Sequence, residues 1–294
     1  MNAFLNLLKP PGMTSSQVVG FVRRVTGEKR VGHAGTLDPE AAGVLPVMVG
    51  SATKLFDYLV EKEKTYVAEC AFGAATDTQD AQGTVVERGT NYPDADAFQK
   101  ACQGMTGDIW QRPGMYSAIK RDGVPMYQRA RRGETVEVPA RQVHIESITL
   151  LHTLPEHGFL IRVVCGRGTY IRSLCEDLGK ACGCPAHMRF LLRTQTGIFR
   201  IEDTLTLEET EAAAQDGSLI SRMLPLDAPL AHMSRLDIPL HLEKWAVNGA
   251  RLRKEYLSGD NVQTGECARM YLGTRFLGIA QMLDEEIQWK VLFS

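Results

Sequence analysis

Residues 32–39 have the composition of a loop that could present a carboxylate to a substrate. They read Gly-His-Ala-Gly-Thr-Leu-Asp-Pro, without hydrophobic periodicity. Glycine permits backbone angles that other residues avoid, and Pro39 restricts Asp38 to an extended conformation. A carboxylate held rigidly at the tip of such a loop is suited to nucleophilic attack. Asp-Pro is also common in plain turns, so this segment alone leaves both interpretations open.

A second segment, residues 166–172, connects a predicted strand to a predicted helix and ends in an arginine. An arginine on a helix usually extends its guanidinium to water. If Arg172 instead reaches Asp38, its charge keeps the carboxylate ionised and oriented. Because an ionised aspartate needs no separate base to act as a nucleophile, the second segment strengthens the catalytic interpretation of the first.

Cysteine and histidine side chains near residue 184 raise the question of a metal site. Cys182, Cys184 and His187 have a Cys-x-Cys-x-x-His spacing, with Cys175 nearby. A structural zinc site needs four ligands, and this short loop has no second ligand pair. Buried free thiols are the better interpretation, and we expect no metal and no organic cofactor.

Hydrophobic periodicity predicts the elements that position these segments. Strands are predicted over residues 5–8, 44–49, 65–72, 143–151 and 159–165, helices from Ser15 or Ser16 and over 52–59 and 171–181, and a loop over 31–39. Beyond about Ser234 the chain turns to short strand-like pieces broken by glycines. We expect an α+β domain on a mixed, largely antiparallel sheet over residues 1–234, followed by a small β-rich module over residues 235–294.

Composition and length describe an ordinary folded protein, with 44% hydrophobic and 23% charged residues among 294. No apolar run approaches the ~18 residues that cross a bilayer, and the N-terminus lacks the basic region of a secretory signal. Seven cysteines without regular spacing fit free thiols in a reducing compartment. We therefore expect a cytoplasmic protein without a membrane segment.

The formal net charge of −2 hides an uneven distribution. Residues 112–141 carry a net charge of +4 and residues 162–200 one of +5, whereas residues 202–243 carry −7. Such runs often form only a solvated face. The alternative is a basic groove for a polyanion, with acidic surface elsewhere that limits unproductive binding.

Six motifs together resemble the TruB family of bacterial tRNA pseudouridine synthases over most of the chain. They are KPPGMTS at 9–15, GHAGTLDP at 32–39, KTY at 64–66, TDTQDAQG at 76–83, MYSAIK at 115–120 and GTYIRSL at 168–174. The resemblance implies the pseudouridine synthase fold and, more weakly, a PUA-like RNA-binding module over residues 235–294. It also implies isomerisation of the T-loop uridine at tRNA position 55, with flipping of the base out of its stack.

The same resemblance implies roles for individual residues. Asp38 would be the catalytic aspartate and Arg172 its ion-pair partner. Tyr66 would stack on the target uracil, with its hydroxyl near the ring carbon that loses a proton. The chemistry agrees with such a set, because a site that detaches and rotates a base needs one carboxylate, an aromatic platform and apolar walls, rather than the paired carboxylates of a glycosidase.

Further residues would bind the substrate by this resemblance. Tyr170 and Leu191 would line the uracil pocket, His33 would occupy or support the space that the flipped nucleotide leaves, and Lys9 would brace the loop. The basic segment at about 112–141 would grip the phosphates of the tRNA T arm. A monomer without an obligate protein partner is expected.

Two departures from the family pattern affect loops. The chain has Pro113-Gly114 where the family usually has two prolines, and Gly166-Arg167 where Ser-Lys is common. Both put local loop geometry and tRNA contacts in question. The alternatives are a pseudouridine synthase for another RNA, whose ribosomal families generally have Arg-Leu-Asp in place of Thr-Leu-Asp, and a tRNA-binding or tRNA-folding protein without essential catalysis.

Overall fold

The fold is described by a computed structural model that covers residues 1–60, 63–116, 120–121, 123–132, 134 and 138–293. Its α-helices are α1 (Ser15–Thr26), α2 (Phe56–Val60), α3 (Ala95–Gly104), α4 (Met126–Arg131), α5 (Ile171–Cys182), α6 (Leu207–Gln215) and α7 (Glu243–Val247). In this part of the chain no helix is long and apolar enough to cross a membrane.

Strands supply most of the framework. In the first two thirds they are β1 (Ala3–Lys9), β2 (Val31–His33), β3 (Ala42–Val49), β4 (Lys64–Phe72), β5 (Ala74–Thr76), β6 (Val85–Arg88), β7 (Gly107–Gln111), β8 (Lys120–Arg121), β9 (Val124–Pro125), β10 (Arg141–Leu154), β11 (Gly158–Cys165), β12 (Ala186–Thr196) and β13 (Phe199–Arg200). Towards the C-terminus they are β14 (Arg235–Asp237), β15 (Ser258–Gly259), β16 (Cys267–Leu272), β17 (Arg275–Met282) and β18 (Ile287–Leu292).

The main sheet has the strand order β1-β3-β12-β4-β11-β10-β7, with β2 paired to β3 and β13 to β12. Its neighbours are antiparallel except β3 and β12, which are parallel. The predicted α+β class with a mixed, largely antiparallel sheet is therefore confirmed. The alternation predicted for β4 is also observed, because Tyr66, Ala68, Cys70 and Phe72 are all buried.

Local sequence signals fix the two helices that matter for the site. Helix α1 begins after a capping box, in which Thr14 and Gln17 satisfy each other's backbone amides. Helix α5 ends at Cys182 and is capped by Gly183, whose φ of 68° is the left-handed conformation that glycine adopts without strain. The apolar side chains of α5, including Ile171 and Leu174, pack on the main sheet in one buried cluster with Tyr66 of β4.

The C-terminal part is β-rich, as predicted, and forms a second sheet in the order β15-β14-β16-β17-β18. It shares a hydrophobic core with the main sheet, because Ile279 and Phe293 pack in one cluster with Phe4 and Val44. Lys54 Nζ also donates a hydrogen bond to the carbonyl of residue 292 at 2.9 Å. The division at residue 234 stays a prediction, and the shared core means that residues 235–294 cover apolar side chains of the first part.

Two local predictions were wrong, and one strand was not predicted. Residues 31–33 were expected in a loop but form β2, because β3 offers an unpaired edge to them. The helix predicted over 52–59 begins as a 3-10 helix over Gly50–Leu55 before α2. Strand β12 was not predicted, because its inward positions include the charged Arg193 and the polar Thr196, which break the apolar alternation.

The basic segments differ from a simple surface stripe. Two arginines of the 162–200 segment, Arg172 and Arg193, are buried. They contribute to the interior of the site rather than to a solvated face. Of the MYSAIK motif, residues 117–119 and the side chain of Lys120 lie outside the described part of the chain, as does the side chain of the following Arg121.

Candidate active site

The loop over residues 34–41, here called the Asp38 loop, connects β2 to β3 and is held on both sides of Asp38. Ser15, at the start of α1, accepts a hydrogen bond from the Leu37 amide at 2.9 Å and donates one to the Leu37 carbonyl at 3.1 Å. Lys9, at the end of β1, donates through Nζ to the carbonyls of Pro10 and Pro39, each at 2.8 Å. The Asp38 side chain is 40% exposed, so its carboxylate is fixed yet accessible.

Arg172 meets this carboxylate from the first turn of α5. Its Nε lies 2.9 Å from Asp38 Oδ2, and its side chain is only 7% exposed. Nη1 donates to the Thr78 carbonyl at 3.0 Å and lies 3.7 Å from Asp80 Oδ2, while Nη2 donates to the Tyr116 carbonyl at 2.7 Å. The guanidinium is thus fixed by groups from three segments, which orients it toward Asp38 rather than toward water.

Apolar side chains line the interior beside this ion pair. Tyr66, Leu191, Leu37 and Ile171 belong to one buried cluster. Burial raises the pKa of Tyr66, since the phenolate form is disfavoured away from water. The Tyr66 hydroxyl is therefore protonated at neutral pH, and the arrangement offers a dry, partly aromatic wall next to an accessible carboxylate.

Arg193 is the functional residue that sequence analysis missed. It is 1% exposed and lies at the centre of the sheet. Its guanidinium donates to the carbonyls of Val44 at 2.8 Å, Gly35 at 3.2 Å and Thr36 at 3.4 Å, and its charge lies close enough to the Tyr66 side chain to lower the pKa of that hydroxyl. One buried cation therefore joins the Asp38 loop to β3 and acts electrostatically on Tyr66.

Two glycines make this arrangement possible. Gly35 and Gly43 have φ angles of 114° and 116°, which L side chains rarely adopt. A Cβ on Gly43 would collide with the backbone of Arg193, where β3 and β12 run side by side. The signal that could have identified Arg193 is a charge directly after the apolar run Phe190-Leu191-Leu192.

His33 and Tyr170 border the same region. His33 stands at the end of β2, and its Nδ1 is buried without a hydrogen-bond partner in the described part of the chain. Burial and, secondarily, the Arg193 charge lower the pKa of His33, so the ring is neutral at neutral pH. Tyr170 is fixed through its backbone by the Gln111 side chain, at 2.7 and 3.0 Å, and its ring faces the guanidinium of Arg141 at 4.8 Å.

We expect Arg193→Met to lower both stability and turnover, because it leaves buried carbonyls without their donors. The loss of unfolding free energy should be about 3–5 kcal/mol, and the single-turnover rate should fall at least roughly tenfold. Arg189→Met is the matched control on the same strand. Arg189 pairs with Glu69 and Glu156 near the surface, and its loss should cost about 1 kcal/mol or less. Equal losses from the two substitutions, measured by urea unfolding, would refute the role given to Arg193.

Lys9 gives the site a pH dependence of stability. Its burial lowers its pKa to about 8 from 10.5. The folded state therefore binds fewer protons than the unfolded state between these values, so the free energy of unfolding rises with pH across this window. We expect a gain of roughly 1–3 kcal/mol between pH 8 and pH 10.5 that is lost in Lys9→Met. A pH series of urea unfolding on both proteins measures the difference, and identical slopes would contradict it.

The cysteine-rich region shows no arrangement of metal ligands. His187 Nδ1 bonds to the carbonyl of Ala74 at 2.9 Å, and Cys184 is buried. Among the described residues, no three His, Cys, Asp or Glu side chains are grouped to hold a metal ion.

Two protein-family models match most of the chain. The model for the N-terminal domain of TruB family pseudouridylate synthases matches residues 23–171, and the model for the tRNA pseudouridylate synthase B C-terminal domain matches residues 172–231. The tRNA pseudouridine synthase B of Heliobacterium modesticaldum is 40% identical over 292 residues, covering 98% of this chain and 93% of that protein. The Bacillus subtilis protein of the same name is 40% identical over 286 residues, covering 92% and 93%.

Solved structures agree in fold. An H/ACA RNP bound to a substrate RNA containing 2'-deoxyuridine includes a chain with a TM-score of 0.77 at 23% identity, covering 99% of this chain and 85% of that one. A Cbf5-Nop10-Gar1 complex gives a TM-score of 0.76 at 25% identity, covering 99% and 84%. Together, the family matches, the near-complete relatives and the shared fold show that the chain belongs to the TruB family of pseudouridylate synthases.

Proposed function

We propose that the protein isomerises the T-loop uridine at tRNA position 55 to pseudouridine, with Asp38 as the catalyst. The observation that carries the proposal is the ion pair between Arg172 and the accessible Asp38 carboxylate, beside the wall formed by Tyr66. The relatives named tRNA pseudouridine synthase B support an isomerase that acts on tRNA. Position 55 and the aspartate follow the family resemblance of the motifs.

The reaction explains why such a site has one working carboxylate. Pseudouridine formation breaks the N-glycosidic bond, turns the uracil and rejoins it through carbon, without net redox change or an external group. A glycosidase pairs its carboxylates to bring in water. Here the nearby Asp80 is already occupied, because its carboxylate accepts hydrogen bonds from Thr78 Oγ1 at 2.6 Å and the Gln82 amide at 3.0 Å. Asp38 is left as the carboxylate that meets the substrate.

Binding of the base follows from the walls of the site. Extrusion of a uridine from a folded loop costs a few kcal/mol, and stacking on an aromatic ring returns roughly 1–3 kcal/mol. Tyr66 supplies that ring, while Tyr170 and Leu191 complete the uracil pocket. His33, neutral and with an unpartnered Nδ1 in the described structure, supports the space that the nucleotide leaves. Lys9 braces the Asp38 loop through Pro39.

The rest of the chain binds the T arm around the flipped base. The basic segment at about 112–141 would contact phosphates, and the module over residues 235–294 would add RNA contacts. Trp245, exposed on α7, is available for them, whereas Trp289 donates its indole N–H to the Ala250 carbonyl at 3.0 Å. The proposal includes a cytoplasmic monomer that needs no cofactor and no obligate protein partner.

The test is incubation of the purified protein with an unmodified tRNA transcript, followed by mapping of pseudouridine along the RNA. We expect one product, at position 55, and none in a transcript with cytidine there. Product at another position or in ribosomal RNA only would favour the alternative of another RNA substrate. Tight tRNA binding without any product would favour a tRNA-binding or tRNA-folding protein.

A further inference from the structure

Gln79 and Gly114 lie in contact between the two segments whose carbonyls hold Arg172. Gln79 directly follows Thr78, whose carbonyl accepts from Arg172 Nη1 at 3.0 Å. Gly114 is two residues before Tyr116, whose carbonyl accepts from Arg172 Nη2 at 2.7 Å. The positions of residues 79 and 114 therefore influence where both acceptors stand.

The Gln79 side chain also reaches helix α5, which carries Arg172. Ser173 Oγ donates to Gln79 Oε1 at 2.9 Å, and Gln79 Nε2 donates to the Glu176 carboxylate. The Gln79 backbone has a φ of 64°, in the left-handed region, and its carbonyl accepts from the Met188 amide at 3.0 Å. Gln79 thus ties the turn over residues 77–83 to the first turns of α5 and to β12.

Gly114 provides the space that this side chain fills. An ideal Cβ on Gly114 would lie 2.6 Å from Gln79 Oε1, closer than real Cβ contacts allow, and 3.1 Å from Gln79 Cδ, tighter than most such contacts. The Gln79 amide would therefore have to move. The backbone of Gly114 is not in the left-handed region, so its conformation alone would accept alanine. Glycine at residue 114 is therefore needed to leave room for the Gln79 side chain and is not needed for the backbone conformation of a turn.

We propose that Gln79 and Gly114 form a matched pair of positioning residues that holds Arg172 against Asp38. A side chain at 114 displaces the Gln79 amide from Ser173 and Glu176, or moves the Tyr116 carbonyl away from Arg172. Either shift changes how Arg172 meets Asp38, and small displacements of a catalytic group are costly. This inference rests on the proposed function, in which Asp38 is the catalyst, and it gives a reason for the departure from the family pattern at Gly114.

A double-mutant cycle tests the pair. Gly114→Ala should lower the single-turnover rate on tRNA roughly tenfold, with the tRNA Kd changed less than about twofold. Gln79→Asn tolerates the left-handed backbone and shortens the side chain by one methylene, so it draws the amide back from residue 114. It should cost about threefold by itself. In the Gln79→Asn background, Gly114→Ala should change the rate less than about twofold.

Gly104→Ala is the matched control, because nothing lies within 4 Å of a Cβ built there. It should leave the rate unchanged. Equal losses from Gly114→Ala in both backgrounds, or a wild-type rate for Gly114→Ala alone, would overturn the inference. Melting temperatures test the contact without activity: Gly114→Ala should lower Tm by about 2–4 °C only when Gln79 is present. A wild type that forms no pseudouridine would refute the proposed function, whereas uncoupled Tm shifts would refute the pair.

Discussion

Asp38→Asn should bind tRNA as tightly as the wild type and form essentially no pseudouridine. The amide keeps the shape of the carboxylate but is neither a competent nucleophile nor a base, and removal of the central nucleophile or base of a reaction typically lowers turnover by about 10⁴-fold or more. The fold should persist, because Ser15 and Lys9 hold the Asp38 loop through its backbone. Single-turnover kinetics, a binding isotherm and a melting curve on the same preparation provide the three readouts.

Glu40→Gln is the matched control for this substitution. It makes the same change from carboxylate to amide two residues further along the loop, at an exposed position. We expect it to retain the wild-type rate within about twofold. If Asp38→Asn keeps a rate within tenfold of the wild type, Asp38 is not the catalyst, and the exposed Asp-Pro turn has only a structural purpose.

The parts of the site that local sequence determines were predictable. Alternation placed Tyr66 on the buried face of β4, and the strand-to-helix motif placed Arg172 at the start of α5. The loop around Asp38 was recognisable because glycine and proline restrict the backbone in ways that do not depend on distant contacts.

The parts that depend on sheet order were not predictable. Arg193 reaches Val44 across a parallel strand pair 149 residues apart in sequence. A linear pattern shows only a charge that interrupts an apolar strand, which by itself indicates a loop or an edge. The burial of Lys9 was not predictable for the same reason, because it results from the Asp38 loop folding over β1. Both Arg193 and Lys9 contact segments that only the strand order of the folded sheet brings next to them.

Tyr66→Phe should leave tRNA binding and glycosidic cleavage largely intact and slow the final proton removal. We assign that step to the Tyr66 oxygen, whose minor phenolate form takes the proton that the uracil carbon loses after the new bond forms and thereby becomes the neutral phenol. Burial raises the pKa of Tyr66, whereas Arg193 is the cation that favours its phenolate form. The Arg193 charge therefore maintains the fraction of phenolate on which this proton removal depends. Loss of a positioned proton acceptor typically lowers the rate of a step by about 10²–10⁴-fold, and the rate at which mature pseudouridine forms should fall within that range.

Tyr66→Ala separates the ring from the hydroxyl. It removes the stacking platform as well, so capture of the flipped base should weaken by a further roughly 1–3 kcal/mol, seen as a higher tRNA Kd. Tyr58→Phe removes another half-buried hydroxyl, packed against the core shared with the C-terminal sheet, and should leave both steps unchanged. If Tyr66 merely fills the core face of β4, the Phe variant will be fully active and the Ala variant will chiefly lower Tm. A fully active Phe variant would remove the hydroxyl from the mechanism and leave Arg193 as a support of the Asp38 loop alone.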